Sequence, residues 1–168
     1  MNLRNAEINK LTKESIAVAA ANYIIQHDYS SLSVITLCDK AGVSRNAYYR
    51  NFGKMNEVLK YYLIIRWEQY AESIQLTEDM KDRQWSALIH FIYSEQDFIR
   101  GLRDNHLLSL IEELFISILI PTDSSGINNY LSYGIAYSIY GFIRAMIDND
   151  FKETPEQILA LSEQTKSK

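Results

Sequence analysis

Apolar residues recur at three- and four-residue steps along most of the chain, so the pattern predicts an all-α protein. Ile16, Ala19, Ala20, Tyr23 and Ile24 form the stripe of a first helix, expected to begin at Thr12 as N-cap and to end near His27, with residues 1–10 frayed. A polar turn at 28–31 follows, and Leu32 staples it to the core. Ser33 stands where an N-cap belongs, Val34, Leu37, Cys38 and Ala41 make one apolar face, and Gly42 supplies the left-handed stop. Val43 plugs the angle, and Ser44 caps a second short helix carrying Arg45, Asn46, Ala47, Tyr48, Tyr49, Arg50 and Asn51. Phe52 anchors the end of that helix, Gly53 stops it, and Lys54 opens a long helix expected over 54–76. Further helices are predicted over 85–93, 96–102 (closed by Gly101 or Asp104), 107–120 (ended by Pro121) and 127–149, with a polar loop at 122–126. Thr154, Pro155 and Gln157 make a capping box for a last helix that carries Ile158, Leu159 and Leu161 and then frays.

Two short helices joined by a tight glycine turn are the helix-turn-helix layout, in which the second helix enters the DNA major groove. The residue types on that helix suit the task. Arg bonds guanine and Asn bonds adenine, each through two hydrogen bonds, while Tyr48, Tyr49, Arg50 and Asn51 offer donors to phosphates or base edges. The rival reading is a helical hairpin that only packs, with its polar residues facing water.

The run AGVSRNAYYRNF, preceded by SVITLCDK, resembles the N-terminal DNA-binding domain of TetR/AcrR-type transcriptional regulators. Ser33, Ala41, Gly42, Val43, Ser44, Ala47, Tyr48, Tyr49, Asn51 and Phe52 stand at that pattern's places, and the resemblance covers roughly residues 8–60. It implies DNA contacts from Ser33, Thr36, Ser44, Arg45, Asn46, Ala47, Tyr48, Tyr49, Asn51 and Lys54. There are departures: Met55 replaces the usual Lys, with Lys54 one step earlier, and Asn51 replaces a frequent His. The resemblance also implies a three-helix DNA-binding domain over 1–53, joined by the long helix to a helical regulatory and dimerisation domain over 54–168. It implies a homodimer acting as a ligand-responsive repressor, with the last two helices forming the dimer interface. The alternative is a TetR-like protein-interaction module with little DNA binding of its own.

Composition narrows the picture further. A net charge of −4 argues against a nucleic-acid partner until its distribution is read. Residues 39–54 hold four basic residues against Asp39 alone, whereas residues 55–168 hold 10 basic and 17 acidic. The positive charge therefore gathers on the reading unit. The N-terminus lacks the apolar core of a signal peptide, no apolar run reaches the ~20 residues that span a bilayer, and one cysteine suits a reducing, cytoplasmic setting. No phosphate loop, nucleophile elbow or metal-ligand spacing is present, so neither an enzyme, a metal site nor a cofactor is expected.

In the penultimate helix, Gly134, Ser138, Gly141 and Ala145 form a small-residue stripe beside Tyr130, Tyr133, Tyr137 and Tyr140. Tyr130, Gly134, Ser138, Gly141, Ala145, Ile158 and Leu161 are the expected dimer contacts, and packing within the chain is the competing reading. Tyr62, Trp67, Tyr70, Trp85, Phe91, Phe98 and Tyr137 are candidates to line a pocket for a small apolar or aromatic effector; core packing is the commoner role of such residues.

Overall fold

The structure is a computed structural model that describes the backbone of residues 3–76, 81–120 and 126–166. Its helices are α1 (Leu3–Gln26), α2 (Val34–Ala41), α3 (Arg45–Asn51), α4 (Met55–Ser73), α5 (Lys81–Ser94), α6 (Gln96–Asp104), α7 (Ser109–Leu119), α8 (Ile127–Asp148) and α9 (Pro155–Lys166), with a 3-10 turn at Tyr29–Ser31. The architecture is all-α, with the helix-turn-helix at the N-terminal end. The expected Pro121 and the loop at 122–125 lie outside the described residues.

The chain divides into two compact units, Met1–Gln69 and Tyr70–Lys168. The division falls inside α4. Tyr61 of α4 explains part of this: its ring lies edge-on to Phe52, 5.7 Å between centroids, and 4.8 Å beneath the Lys13 ammonium.

In the first unit α1, α2 and α3 pack on one another. Ile16, Ala17, Ala20, Ala21 and Ile24 of α1 are buried, as are Leu37 and Cys38 of α2 and Ala47 and Tyr48 of α3. Ala19 and Tyr23, expected in the α1 stripe, are half-buried at its margin. Each large apolar side chain sealed this way contributes about 1.5–3 kcal/mol. Helix α1 starts far earlier than expected. Thr12 is not its cap, because the Thr12 hydroxyl donates to the Ile8 carbonyl at 2.8 Å, a bond made inside a helix. Nothing in residues 3–11 breaks a helix, and the Lys10–Glu14 pair (3.9 Å) adds support one turn along.

In the second unit α5 packs on α6 and α9, and α8 on α6 and α7. Its core includes Ile89, Phe91, Ile92, Phe98, Ile99, Leu102, Leu110, Ile111, Ile143, Met146, Ile147 and Phe151. The capping box of α9 forms: the Thr154 N–H donates to Gln157 Oε1 (2.8 Å) and the Gln157 N–H to Thr154 Oγ1 (3.4 Å). Helix α9 then continues to Lys166 instead of fraying after Leu161.

Several helices close without glycine. Gln75, His106 and Asp150 adopt the left-handed conformation, with φ of 54°, 57° and 57°. At each, the next N–H reaches back across the last turn: Leu76 to the Ala71 carbonyl, Leu107 to Leu102, and Phe151 to Met146. Gly101, expected to end α6, lies buried inside it. Asp150 is held further, by Arg103 Nη1 at 2.8 Å and Arg100 Nε at 3.0 Å, which tie the α8–α9 corner to α6. These two guanidiniums, Arg103 first, keep the Asp150 carboxyl below the usual carboxylate range.

Candidate nucleic-acid interface

The turn between α2 and α3 follows from its residues. Ser33 Oγ accepts from the Thr36 N–H at 3.0 Å and lies 2.9 Å from the Thr36 hydroxyl, so both side chains serve the first turn of α2. Gly42, at φ 67°, ends α2, and the Val43 N–H closes back on the Cys38 carbonyl at 3.0 Å. A side chain at Gly42 would meet no steric neighbour, so the positive φ alone calls for glycine there. Ser44 Oγ accepts from the Ala47 N–H at 3.1 Å and starts α3. Cys38 is buried, and its burial, ahead of the neighbouring Asp39, pushes the thiol up; it is a core residue and not a reactive one.

Helix α3 sorts its side chains sharply. Ala47 and Tyr48 face the core, with Tyr48 only 1% exposed. The expectation that Tyr48 and Ala47 reach DNA is therefore corrected: a hydroxyl on a sealed ring has no path to a phosphate. Tyr49, one residue on, is 63% exposed, and its ring rests edge-on against Tyr48 (5.2 Å, 86°). Asn51 is half-buried and turns its amide Nδ2–H to the Ala47 carbonyl at 2.8 Å, so that donor serves the helix itself. Arg45, Asn46 and Arg50 are exposed, and none makes a side-chain hydrogen bond or ion pair among the described residues.

The α3–α4 junction has a feature that the sequence pattern did not single out. The Glu57 carboxylate accepts from the Gly53 N–H (2.8 Å) and the Lys54 N–H (3.2 Å), closing the start of α4. Those two bonds, Gly53's first, hold the Glu57 carboxyl below its usual range. A Glu at the third helical position is the signal that would have found it. The Lys54 backbone is thus fixed while its side chain is exposed, and Met55 begins α4 half-buried. Lys13 adds a tie from α1, with its ammonium 5.7 Å from the Phe52 ring centroid.

The expected effector residues are not gathered into a described cavity. Tyr62 and Trp67 are half-buried on the α4 segment of the first unit. In the second unit Phe91 and Phe98 are core, Tyr70 lies 5.7 Å from Phe91, and Trp85 lies edge-on to Phe142 at 5.6 Å. Tyr137 is exposed, donates to Glu112 at 3.2 Å and stacks on Tyr133. The cavities described lie against α1 and α2, one of about 340 Å³ lined by Asn22, Tyr23, Gln26, His27 and Lys40, and none of the expected effector residues lines them. Among the described residues no group of three His, Cys, Asp or Glu side chains comes together to hold a metal, and no helix is long and apolar enough to cross a membrane.

The expected dimer residues divide. Tyr130, Gly134, Ser138, Gly141 and Ala145 share one exposed face of α8 with Ile127, Leu131 and Ile135, and Leu161 of α9 is exposed. Ile158 does not belong with them: it is buried within the chain, where α9 packs on α5.

Residues 16–62 match the family model for bacterial regulatory proteins, tetR family. A search of the curated proteins gives no match. Among solved structures the chain is similar to the crystal structure of Lin0861 from Listeria innocua, at 15% sequence identity over 99% of this chain and 93% of that one, with a TM-score of 0.68; that likeness is one of fold. The family match spans both helices of the helix-turn-helix and runs into α4, so residues 16–62 are similar to the DNA-binding domain of the tetR family of bacterial regulatory proteins.

Proposed function

We propose that the chain is a sequence-specific transcriptional repressor that binds a two-fold operator as a homodimer in the cytoplasm and is released by a small apolar or aromatic effector. The observation that carries DNA binding is the outward face of α3, where Arg45, Asn46, Tyr49 and Arg50 stand exposed on a helix whose opposite side, Ala47 and Tyr48, is locked in the core. Ser33, Thr36, Ser44 and Lys54 flank it as phosphate contacts.

The homodimer reading is supported by α8. Glycine in a helix interior costs about 1 kcal/mol relative to alanine. A Cβ at Gly134 or Gly141 would meet nothing within 4 Å in the chain, so packing inside the chain does not explain the glycines. The close approach of a second α8 does, and the exposed Ile127, Tyr130, Leu131 and Ile135 supply apolar area for it. Repression and ligand release rest on the family. In that scheme the effector favours a head spacing that no longer fits successive major grooves, a population shift.

The test is a fluorescence-anisotropy titration on labelled DNA from upstream of the coding region, with excess unlabelled competitor, at two salt concentrations. Tight binding that survives competitor and is lost in Tyr49→Ala supports the reading. Weak binding that competitor removes and Tyr49→Ala leaves unchanged, repeated across genomic fragments, contradicts it and favours the protein-partner alternative.

A further inference from the structure

Helix α1 buries one side and leaves the other bare. Ile8, Leu11, Val18 and Ile25 are 42–57% exposed and share a single face. With Ser15 and Asn22 between them they recur at steps of three and four, so the row 8, 11, 15, 18, 22 and 25 runs down the helix for about 26 Å. Single exposed apolar residues are ordinary; four in one row, on a helix whose opposite side already supplies core, mark an interaction surface. The two edges of the row carry opposite charge. Glu7 and Glu14 stand on one edge, and Lys40 of α2 overhangs the other beside Ala19, Asn22 and Tyr23. Glu14 and Lys40 line one open groove of about 430 Å³ along the row. Lys40 makes no ion pair among the described residues; its ammonium lies 5.5 Å from the Tyr23 ring centroid. Glu14 has a loose pair with Lys10 at 3.9 Å. Asn22 is exposed and makes no side-chain hydrogen bond among the described residues.

We propose that this face docks against the same face of a second copy of the chain, with the two α1 helices parallel. A row spaced three and four is self-complementary, because each side chain seats in a hole between residues of an identical helix. Asn22 then meets its own counterpart, and the two amides bond each other, as a polar residue in such a seam does when it fixes register. The edges choose the direction. With the two-fold axis along the helices, the acidic edge of each copy lies against the Lys40 edge of the other, and Glu14 stands across from Ala19 of the other copy, beside its Lys40. Reversed helices would set acid against acid. The row is shorter than the ~3–4 heptads of a free-standing coiled coil, so the contact is weak in isolation. It joins two copies through the DNA-binding unit itself and does not rest on the α8 contact proposed above.

The experiment is oxidative cross-linking of the full-length chain with diamide. Cys38 is buried, so an added cysteine reports its own surroundings. Leu11→Cys and Val18→Cys place a thiol in the row, and Asn9→Cys places one on the same helix away from it; all three positions are exposed. In the parallel arrangement each row thiol meets itself, so both row variants are expected to form covalent dimers roughly tenfold faster than Asn9→Cys. Lys40→Glu added to Val18→Cys is expected to slow cross-linking about threefold, and Glu14→Lys added to that pair to restore the rate. Equal rates for all three single variants overturn the proposal and leave the face to a different protein. Cross-linking at one row position and not the other overturns the parallel arrangement, because reversed helices bring a residue against itself at one level alone. A Val18→Cys rate that Lys40→Glu does not slow overturns the charge-matched docking. Unchanged thermal midpoints confirm that each variant is folded.

Discussion

In the second compact unit Arg100, Arg103 and Arg144 each lie within 3.1 Å of a carboxylate; on α3 of the first unit, Arg45 and Arg50 touch none among the described residues. Arg144 pairs with Asp148 within its own helix, and the other two join separate elements. Arg100 and Arg103 converge on Asp150 and secure a corner whose backbone is left-handed at both Asp150 and Phe151, and Arg100 also lies over the buried Phe151 ring at 5.2 Å. The unpaired arginines hold nothing within the chain. They are carried on a helix fixed from behind by Tyr48 and from its end by Phe52, with rings 6.1 Å apart. Charge carried on a fixed helix and internally unsatisfied is available to a polyanion, and neutralising phosphates releases counterions. The difference matters more than the net charge of −4, which suggests the opposite partner.

The comparison breaks most severely at Tyr48. Tyr48→Ala removes the brace and the core together and is expected to destabilise by about 3–5 kcal/mol, abolishing cooperative unfolding of the first unit in a chemical denaturation series. Tyr49→Ala, one residue away, should leave the transition in place, because that ring is exposed. Gly134→Leu on α8 fills space that is empty in the single chain, so it is expected to leave the helix folded and to weaken self-association at least tenfold in sedimentation equilibrium. Ser44→Ala deletes the cap of α3 and should cost about 1 kcal/mol, with DNA affinity falling because the reading helix frays.

The smallest effect is on pH. The Glu57 carboxyl is depressed by the Gly53 and Lys54 N–H groups, so its contribution is complete above the ordinary carboxylate value of 4.5 and is lost as pH falls through the lower folded value. Wild type should therefore lose more thermal midpoint than Glu57→Gln between about pH 5 and about pH 3. Asp150→Asn should show the same relative resistance to acid, for its carboxyl is depressed in the same direction.

Local punctuation was legible in the sequence, and orientation was not. Ser33, Gly42, Ser44 and the Thr154–Gln157 box each act through the backbone within four residues, and each forms as its residue types require. Thr12 does not mark the start of α1, because Thr serves equally as an N-cap and as an internal residue bonded one turn back; only the absence of any breaker before it separates the two. The ends at Gln75, His106 and Asp150 carried no glycine to announce them. Tyr48 and Tyr49 offer identical chemistry, and the turn of about 100° between neighbours on a helix puts one in the core and the other in water. The effector aromatics were indistinguishable from core by type alone, and Phe91 and Phe98 proved to be core.

The most direct measurement sets the two kinds of arginine against each other. Arg45→Ala/Arg50→Ala and Arg100→Ala/Arg103→Ala are each titrated on operator DNA by anisotropy and melted by calorimetry. The α3 pair is expected to lose specific binding, with a shallower salt dependence, at an unchanged thermal midpoint, and the α6 pair to lose midpoint while the folded protein retains its affinity. If the α3 pair lowers the midpoint and leaves affinity intact, its arginines serve the fold and the DNA-binding face lies elsewhere.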